Sequence, residues 1–325
     1  MFSKNFLLGA FLASTAFAAD ATNTTDYATT PSPSDDYEGS SVKLPSFTNM
    51  KGLGIDAAGN LYISGYKKAS GVGKVAPDGK VSAFKYAGKQ VFNIRSDKDA
   101  KFYLADPSNK RIHVVSQNST NIGIRCRATN SVLGNGMVGP VDLVLGKDET
   151  VYFTAYNQKQ NTGGIFACKK GETVAKKLYT GGAIYGIDLD PQEKFVYFTE
   201  TTSKSKRIKK IAVEKLMAGN NKQCNTVYKF SEEVLGKGGE LTTLRFDTSG
   251  IVYVAIQGSG SIAIFDSSAP VQDDNVDVLL LDESLANPKA LEISQGYLHI
   301  VGDSFYEKIA LDESVKGRQE TFIAK

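Results

Sequence analysis

A loosely repeated unit of roughly 45 residues constrains this chain more than any other feature. Each copy is an apolar strand, a turn carrying Asp or Gly, and a second strand built around an aromatic residue. Six copies occupy 52–64, 93–105, 142–154, 186–199, 244–255 and 291–301, with the aromatic at Tyr62, Tyr103, Tyr152, Tyr197, Tyr253 and Tyr297. Most copies continue into a third strand, as at 73–75, 111–114, 164–167 and 261–265. Several offer a fourth, as at 81–84 and 276–281. A single four-stranded sheet buries neither face and leaves two open edges, whereas six stacked radially cover one another. The expected fold is therefore all-β: a six-bladed β-propeller of four-stranded antiparallel blades over residues 42–325. A β-sandwich or a solenoid of the same strands fits the period less well. Closing the ring needs a strand from one terminus beside those of the other, and 42–47 and 320–323 are both strand-like. Helical periodicity is nearly absent, with a weak segment at 213–217.

The first 18 residues read as a signal peptide. Lys4 supplies the positive charge, 6–17 the apolar stretch, and Ala16-Phe17-Ala18 the small-x-small cleavage pattern. The apolar stretch is short of the ~20 residues that cross a bilayer. Residues 19–41 read as a disordered leader. Between Asp20 and Ser41 there is no Leu, Ile, Val, Met or Phe, so ordering entropy has nothing to offset it. Sequons at Asn23 and Asn118 are glycosylation candidates in a host that glycosylates. Cys126, Cys168 and Cys224 allow one disulfide and one free thiol, with all three pairings open. The 38 basic and 35 acidic residues leave a net charge of +3, too balanced for nucleic-acid binding. The short lysine clusters at 169–170, 176–177 and 204–210 read as solvated faces. The expected protein is secreted and monomeric, with a small-molecule ligand, no nucleic acid and no membrane span.

Several segments carry a likeness to known propellers. They are Gly139-Pro140-Val141-Asp142-Leu143-Val144 with Asp148 and Tyr152-Phe153-Thr154, then Gly163-Gly164-Ile165-Phe166, then 181–199, then 241–255 with Gly258-Ser259-Gly260-Ser261-Ile262. In order and spacing they resemble successive blades of the senescence marker protein/gluconolactonase/luciferin-regenerating-enzyme family of six-bladed propellers. Looser propeller families built from NHL-type repeats share the same strand pattern. The resemblance implies a calcium or zinc ion at the tunnel mouth, held by a Glu, two Asn and an Asp at the starts of innermost strands. Such an ion polarises a lactone carbonyl and activates water. Carried over position by position, the Glu falls on Lys51, the Asn residues on Val141 and Tyr185, and the Asp on Thr242. An ammonium adds like charge and an isopropyl group supplies no oxygen, so no cofactor is expected unless calcium or zinc is bound by a rebuilt site.

The mouth is then lined by Lys51, Asn93, Val141, Asp142, Tyr185, Thr242 and Lys289, a mixed polar and aromatic rim suited to a small, partly anionic or aromatic ligand. Tyr185 would stack or donate a hydrogen bond, and a buried Lys51 could act as a base. His113 and His299 fall in third- and second-strand stretches, away from that rim. Asp56, Asp148, Asp188, Asp190 and Asp247 read as turn caps after the innermost strands. The favoured expectation is a gluconolactonase-like propeller that binds a small molecule or a partner and has lost metal-dependent lactone hydrolysis. The alternatives are an active metal-dependent lactonase or esterase with relocated ligands, such as Asp142 with Asn93, and a metal-free biosynthetic enzyme. The leader reading predicts that N-terminal sequencing of the secreted protein starts at Ala19.

Overall fold

The computed structural model describes residues 40–318, apart from 68–70, 85–89, 98, 118, 120, 221–222, 282–285 and 312–313. The signal peptide, the leader up to 39, the sequon asparagines Asn23 and Asn118, and the strand-like 320–323 lie outside the described residues.

Six four-stranded antiparallel sheets form a six-bladed propeller. The first strand, β1 (Ser40–Lys43), belongs to the last blade. Blade one holds β2 (Leu53–Ile55), β3 (Leu61–Ser64), β4 (Val72–Val75) and β5 (Val81–Phe84). Blade two holds β6 (Asn93–Ser96), β7 (Lys101–Asp106), β8 (Arg111–Ser116) and β9 (Ile122–Arg127), and is followed by a short helix α1 (Asn130–Leu133). Blade three holds β10 (Leu143–Leu145), β11 (Val151–Asn157), β12 (Thr162–Cys168) and β13 (Lys176–Gly181). In blade four, β14 (Ala183–Leu189), β15 (Phe195–Thr201) and β16 (Lys206–Ala212) precede α2 (Val213–Met217), at the segment where helical periodicity was weak, and then β17 (Asn225–Lys229). A further helix α3 (Glu232–Leu235) leads into blade five, with β18 (Glu240–Phe246), β19 (Ile251–Gln257), β20 (Ser261–Asp266) and β21 (Asp277–Leu280). Blade six holds β22 (Ala290–Ser294), β23 (Tyr297–Gly302) and β24 (Phe305–Ala310).

Closure comes from the N-terminal side. β1 pairs with β24, Ser41 opposite Glu307 and Val42 opposite Tyr306. The strand begins two residues inside the stretch read as leader, because an outer strand is held through its backbone and needs no apolar side chains. At the other end of the tunnel the C-terminal segment folds back on blade five. Thr248 N–H donates to Lys316 O at 2.8 Å, and Arg318 N–H donates to Phe246 O at 3.1 Å.

The hydrophobic core is distributed as six clusters, one at each seam between neighbouring blades. Tyr62 packs its ring 4.1 Å from Phe102 across the seam between blades one and two. Tyr197 meets Phe246 at 4.8 Å across the seam between blades four and five. Each fully buried large apolar side chain contributes about 1.5–3 kcal/mol, so the ring is held by many modest seams. Gly186 is required at one of them: a Cβ there would lie 2.5 Å from Thr242 O. A disulfide between Cys126 in β9 and Cys168 in β12 ties blade two to blade three and resolves the open pairing. Its sequence separation of 42 residues corresponds to about 4 kcal/mol of loop entropy removed from the unfolded chain.

The registers expose the repeat directly. Gly54, Arg95, Val144, Asp188, Arg245 and Glu292 in the innermost strands pair with Tyr62, Tyr103, Tyr152, Tyr197, Tyr253 and His299. The sixth aromatic position is therefore His299, and Tyr297 stands two residues away, opposite Ser294. Single-blade sequence could not settle this, since the strand 297–302 offers an aromatic at either place.

His299 is buried and hydrogen-bonded through Nδ1 to the Tyr306 hydroxyl at 2.8 Å. Burial lowers its pKa to about 4. The unfolded chain takes up a proton near pH 6.5 while the folded protein does not. Stability from this group is complete above pH 6.5 and is lost as pH falls towards 4, by about 3 kcal/mol. Urea unfolding at stepped pH should show that loss, and His299→Tyr, matching the other blades, should reduce it.

Candidate functional site

All seven residues expected at the mouth line one cavity of about 250 Å³ at the starts of the innermost strands. Lys51 precedes β2, Asn93 opens β6, Val141 and Asp142 precede β10, and Lys289 precedes β22. Tyr185 and Thr242 lie where the pairing of β14 and of β18 shifts register, between Ile184 and Ile187 and between Leu241 and Leu244. Such bulges turn a strand and re-aim its side chains. Asn49, Phe92, Tyr156, Thr243 and Gln257 complete the lining and were not foreseen. Phe92 and Thr243 neighbour expected positions in sequence, whereas Tyr156 and Gln257 come from second strands.

The mouth backbone is held by hydroxyls from the second strands. Ser64 Oγ accepts from Lys51 N at 3.0 Å and Gly52 N at 2.9 Å. Thr199 Oγ1 accepts from Gly186 N at 2.9 Å, and the Thr154 hydroxyl donates to Tyr185 O at 2.6 Å. These are the small hydroxyl residues that end the first, third and fourth copies of the repeat.

Two walls of different chemistry face each other. On blades one and six, the Lys51 ammonium lies 4.0 Å over the Phe92 ring. Beside it, Lys289 Nζ donates to Asn49 Oδ1 at 2.9 Å and Asp303 Oδ1 at 2.6 Å. Burial, and then the nearby Lys289 charge, lower the Lys51 pKa. On blades three and four, the Tyr156 and Tyr185 rings meet at 4.4 Å. Burial raises both phenols, which keeps them protonated donors.

The floor is ionic. Arg245 donates Nη1–H to Asp142 Oδ2 at 3.0 Å and Nη2–H to Oδ1 at 3.1 Å. Asn93 donates its amide to Oδ1 as well, and Asp142 also accepts from Leu143 N at 2.8 Å and Ile187 N at 3.0 Å. Burial pushes the Asp142 carboxyl up to about 7, opposed by the Arg95 charge and the Ile187 and Leu143 amides. The forked contact with Arg245 requires the carboxylate form, so the pair is ionised. Arg95 pairs with Glu292, and Asp188 lies 3.5 Å from Arg318 of the C-terminal segment.

This ladder corrects one expectation and supplies residues that sequence reasoning missed. Asp188 is no turn cap: it lies inside β14, accepts Leu189 N and Phe246 N at 2.9 and 3.0 Å, and belongs to the ladder. Asp56, Asp148, Asp190 and Asp247 do cap their turns. Arg95, Arg245, Glu292 and Arg318 were overlooked. The signal was present for three of them: a charge between apolar or small residues mid-strand, at Ile94-Arg95-Ser96, Leu244-Arg245-Phe246 and Leu291-Glu292-Ile293. Arg and Glu are almost never fully buried unless paired. Both histidines stand away from the mouth, His113 Nε2 lying 3.1 Å from Asp106 Oδ2.

The residues do not fit a divalent cation. At the four positions where the resembled family places oxygen ligands stand an ammonium, an isopropyl group, a phenol and the Thr242 hydroxyl, which donates towards Ala255 O and Pro288 O at 3.3 and 3.2 Å. Both Asp142 oxygens are already engaged by Arg245. Among the described residues no group of three or more His, Cys, Asp or Glu side chains is placed to hold a metal.

Six blades around a floored tunnel, with one mixed cavity at its mouth, define a six-bladed β-propeller of the gluconolactonase-like shape. The gluconolactonase of Xanthomonas campestris superposes with a TM-score of 0.66 at 14% identity, over 84% of this chain and 89% of that one. A calcium-binding regucalcin from Agrobacterium tumefaciens superposes at 0.66 and 13%, over 86% and 95%. A luciferin-regenerating enzyme gives 0.67 and 14%, over 86% and 97%. By sequence, the chain belongs to the major royal jelly protein family, whose profile matches residues 148–318, just over half of it. No curated protein sequence matches the chain significantly.

Removing Arg245 would strand the Asp142 carboxylate. Arg245→Met is expected to cost about 3–5 kcal/mol in urea unfolding, and adding Asp142→Asn should recover part of it because the amide needs no counter-charge.

Proposed function

We propose that this is a secreted, monomeric propeller that holds a small organic anion with a planar, aromatic body, and does not hydrolyse lactones through a metal. The observation that carries the reading is the division of the cavity. Blades one and six are diametrically opposite blades three and four in a six-bladed ring, so the two lysines face the two tyrosines. An anionic end reaches the ammonium groups while a ring lies against Tyr156 and Tyr185. The cavity volume of about 250 Å³ is below the 300–1,000 Å³ of drug-sized sites, so the occupant is small. A relocated metal site on Asp142 with Asn93 is disfavoured because Arg245 already neutralises that carboxylate.

Secretion is supported by the Cys126–Cys168 disulfide, since disulfides persist in oxidising compartments. Asn23 and Asn118 would then carry N-glycans in a host that adds them.

Titration calorimetry with 4-methylbenzoate tests the binding. Lys51→Gln should weaken it about tenfold, the value of roughly 1.4 kcal/mol for a lost charge contact, and the neutral amide of the same acid should bind more weakly than the acid. Lactone hydrolysis by the pure protein supplied with calcium or zinc should stay at background. Robust turnover abolished by a chelator would overturn the reading.

A further inference from the structure

Lys51 is unusual among the cavity residues. Its ammonium rests on the Phe92 ring, and among the described residues no carboxylate forms an ion pair with it. The neighbouring Lys289 is different, because Asp303 and Asn49 hold it as a fixed charge. Asp142, the acidic residue of the lining, is taken by Arg245. Lys51 is half-buried and sits beside a like charge without a counter-ion. Those are the conditions under which a lysine amine becomes available as a nucleophile near neutral pH. The lowered pKa noted above is in the same direction.

We infer that Lys51 captures small aromatic acids bearing an aldehyde as a reversible imine within the cavity. The inference rests on the cavity being a small-molecule site and names the ligand's reactive group. In the step, the neutral amine's lone pair attacks the carbonyl carbon and a C–N bond forms. Both amine protons end on the former carbonyl oxygen, which departs as water, leaving a C=N bond. Nothing is oxidised or reduced, and hydrolysis reverses the step. Lys289 remains as the charge that holds the ligand's carboxylate, and the Tyr156 and Tyr185 rings flank its body. Gln257, part-exposed on the same lining, offers a polar partner for the carbinolamine hydroxyl.

The test uses 4-formylbenzoate on the full mature protein at neutral pH, with cyanoborohydride to trap the imine and peptide mass spectrometry to locate it. Lys51 should label about tenfold faster than the next lysine. Excess 4-methylbenzoate, which has no carbonyl to react, should protect it. Lys51→Arg keeps a cation but removes the reactive amine, and should lose the adduct while its thermal unfolding stays that of the unsubstituted protein. Labelling spread over surface lysines, or unchanged in Lys51→Arg, overturns the inference. If 4-methylbenzoate binds while Lys51 stays unlabelled, the imine fails and the binding site stands. If 4-methylbenzoate does not bind at all, both fail.

Discussion

The forked ion pair between Asp142 and Arg245 is the contact on which the character of the mouth depends. It joins blade three to blade five past Gly186 of blade four, a position where a side chain would collide with the neighbouring backbone. Taken alone, a buried ion pair stabilises little relative to an apolar one, because desolvation offsets the attraction. What it supplies is specificity. Each charge demands its partner, so blade three and blade five are held in one alignment across the tunnel. The same argument extends down the tunnel through Arg95 with Glu292 and Asp188 with Arg318. The last of these draws the C-terminal segment into the base of the ring.

That pair also separates this propeller from the enzymes it resembles in shape. A carboxylate at a tunnel mouth is a natural ligand for a hard cation, but one already neutralised by a guanidinium is not. Lys51, Val141, Tyr185 and Thr242 complete the change, each removing an anionic or amide oxygen from the rim. The outcome is a cavity whose polarity runs across it, ammonium groups on one wall and phenols on the other. Fold similarity at 13–14% identity and membership of the major royal jelly protein family are both compatible with that geometry. Neither carries the chemistry, which lives in the side chains that depart from the repeat.

Of the seven rim residues, Lys51, Val141, Tyr185 and Thr242 were placed by the resemblance to known propellers, and the repeat put the others at the starts of innermost strands. Once the aromatic at Tyr152 or Tyr197 marks the second strand, counting back across the turn reaches the start of the innermost strand, and that start must face the mouth. The ladder beneath was not legible in the same way. Arg95 and Glu292 are nearly 200 residues apart in sequence and in separate copies, and no local pattern pairs them. Asp188 was misread for a related reason: it sits two residues before the turn cap Asp190, at the strand position that Arg95 and Arg245 take in their blades, and an Asp so close to a turn is ordinarily a cap itself. Tyr297 was chosen over His299 because an aromatic ring was the only criterion a single strand provided.

Composition and period by themselves pointed to a closed ring of six sheets, since radial stacking covers both faces of every sheet in a repeat of this length. They also determined that the starts of the innermost strands face the mouth, because those starts recur once in each copy of the repeat. Only the tertiary structure decided which charges neutralise one another, which cysteines join, and which terminus closes the last blade. Those are contacts between copies of the repeat, and the distance between two copies exists only once the ring has closed.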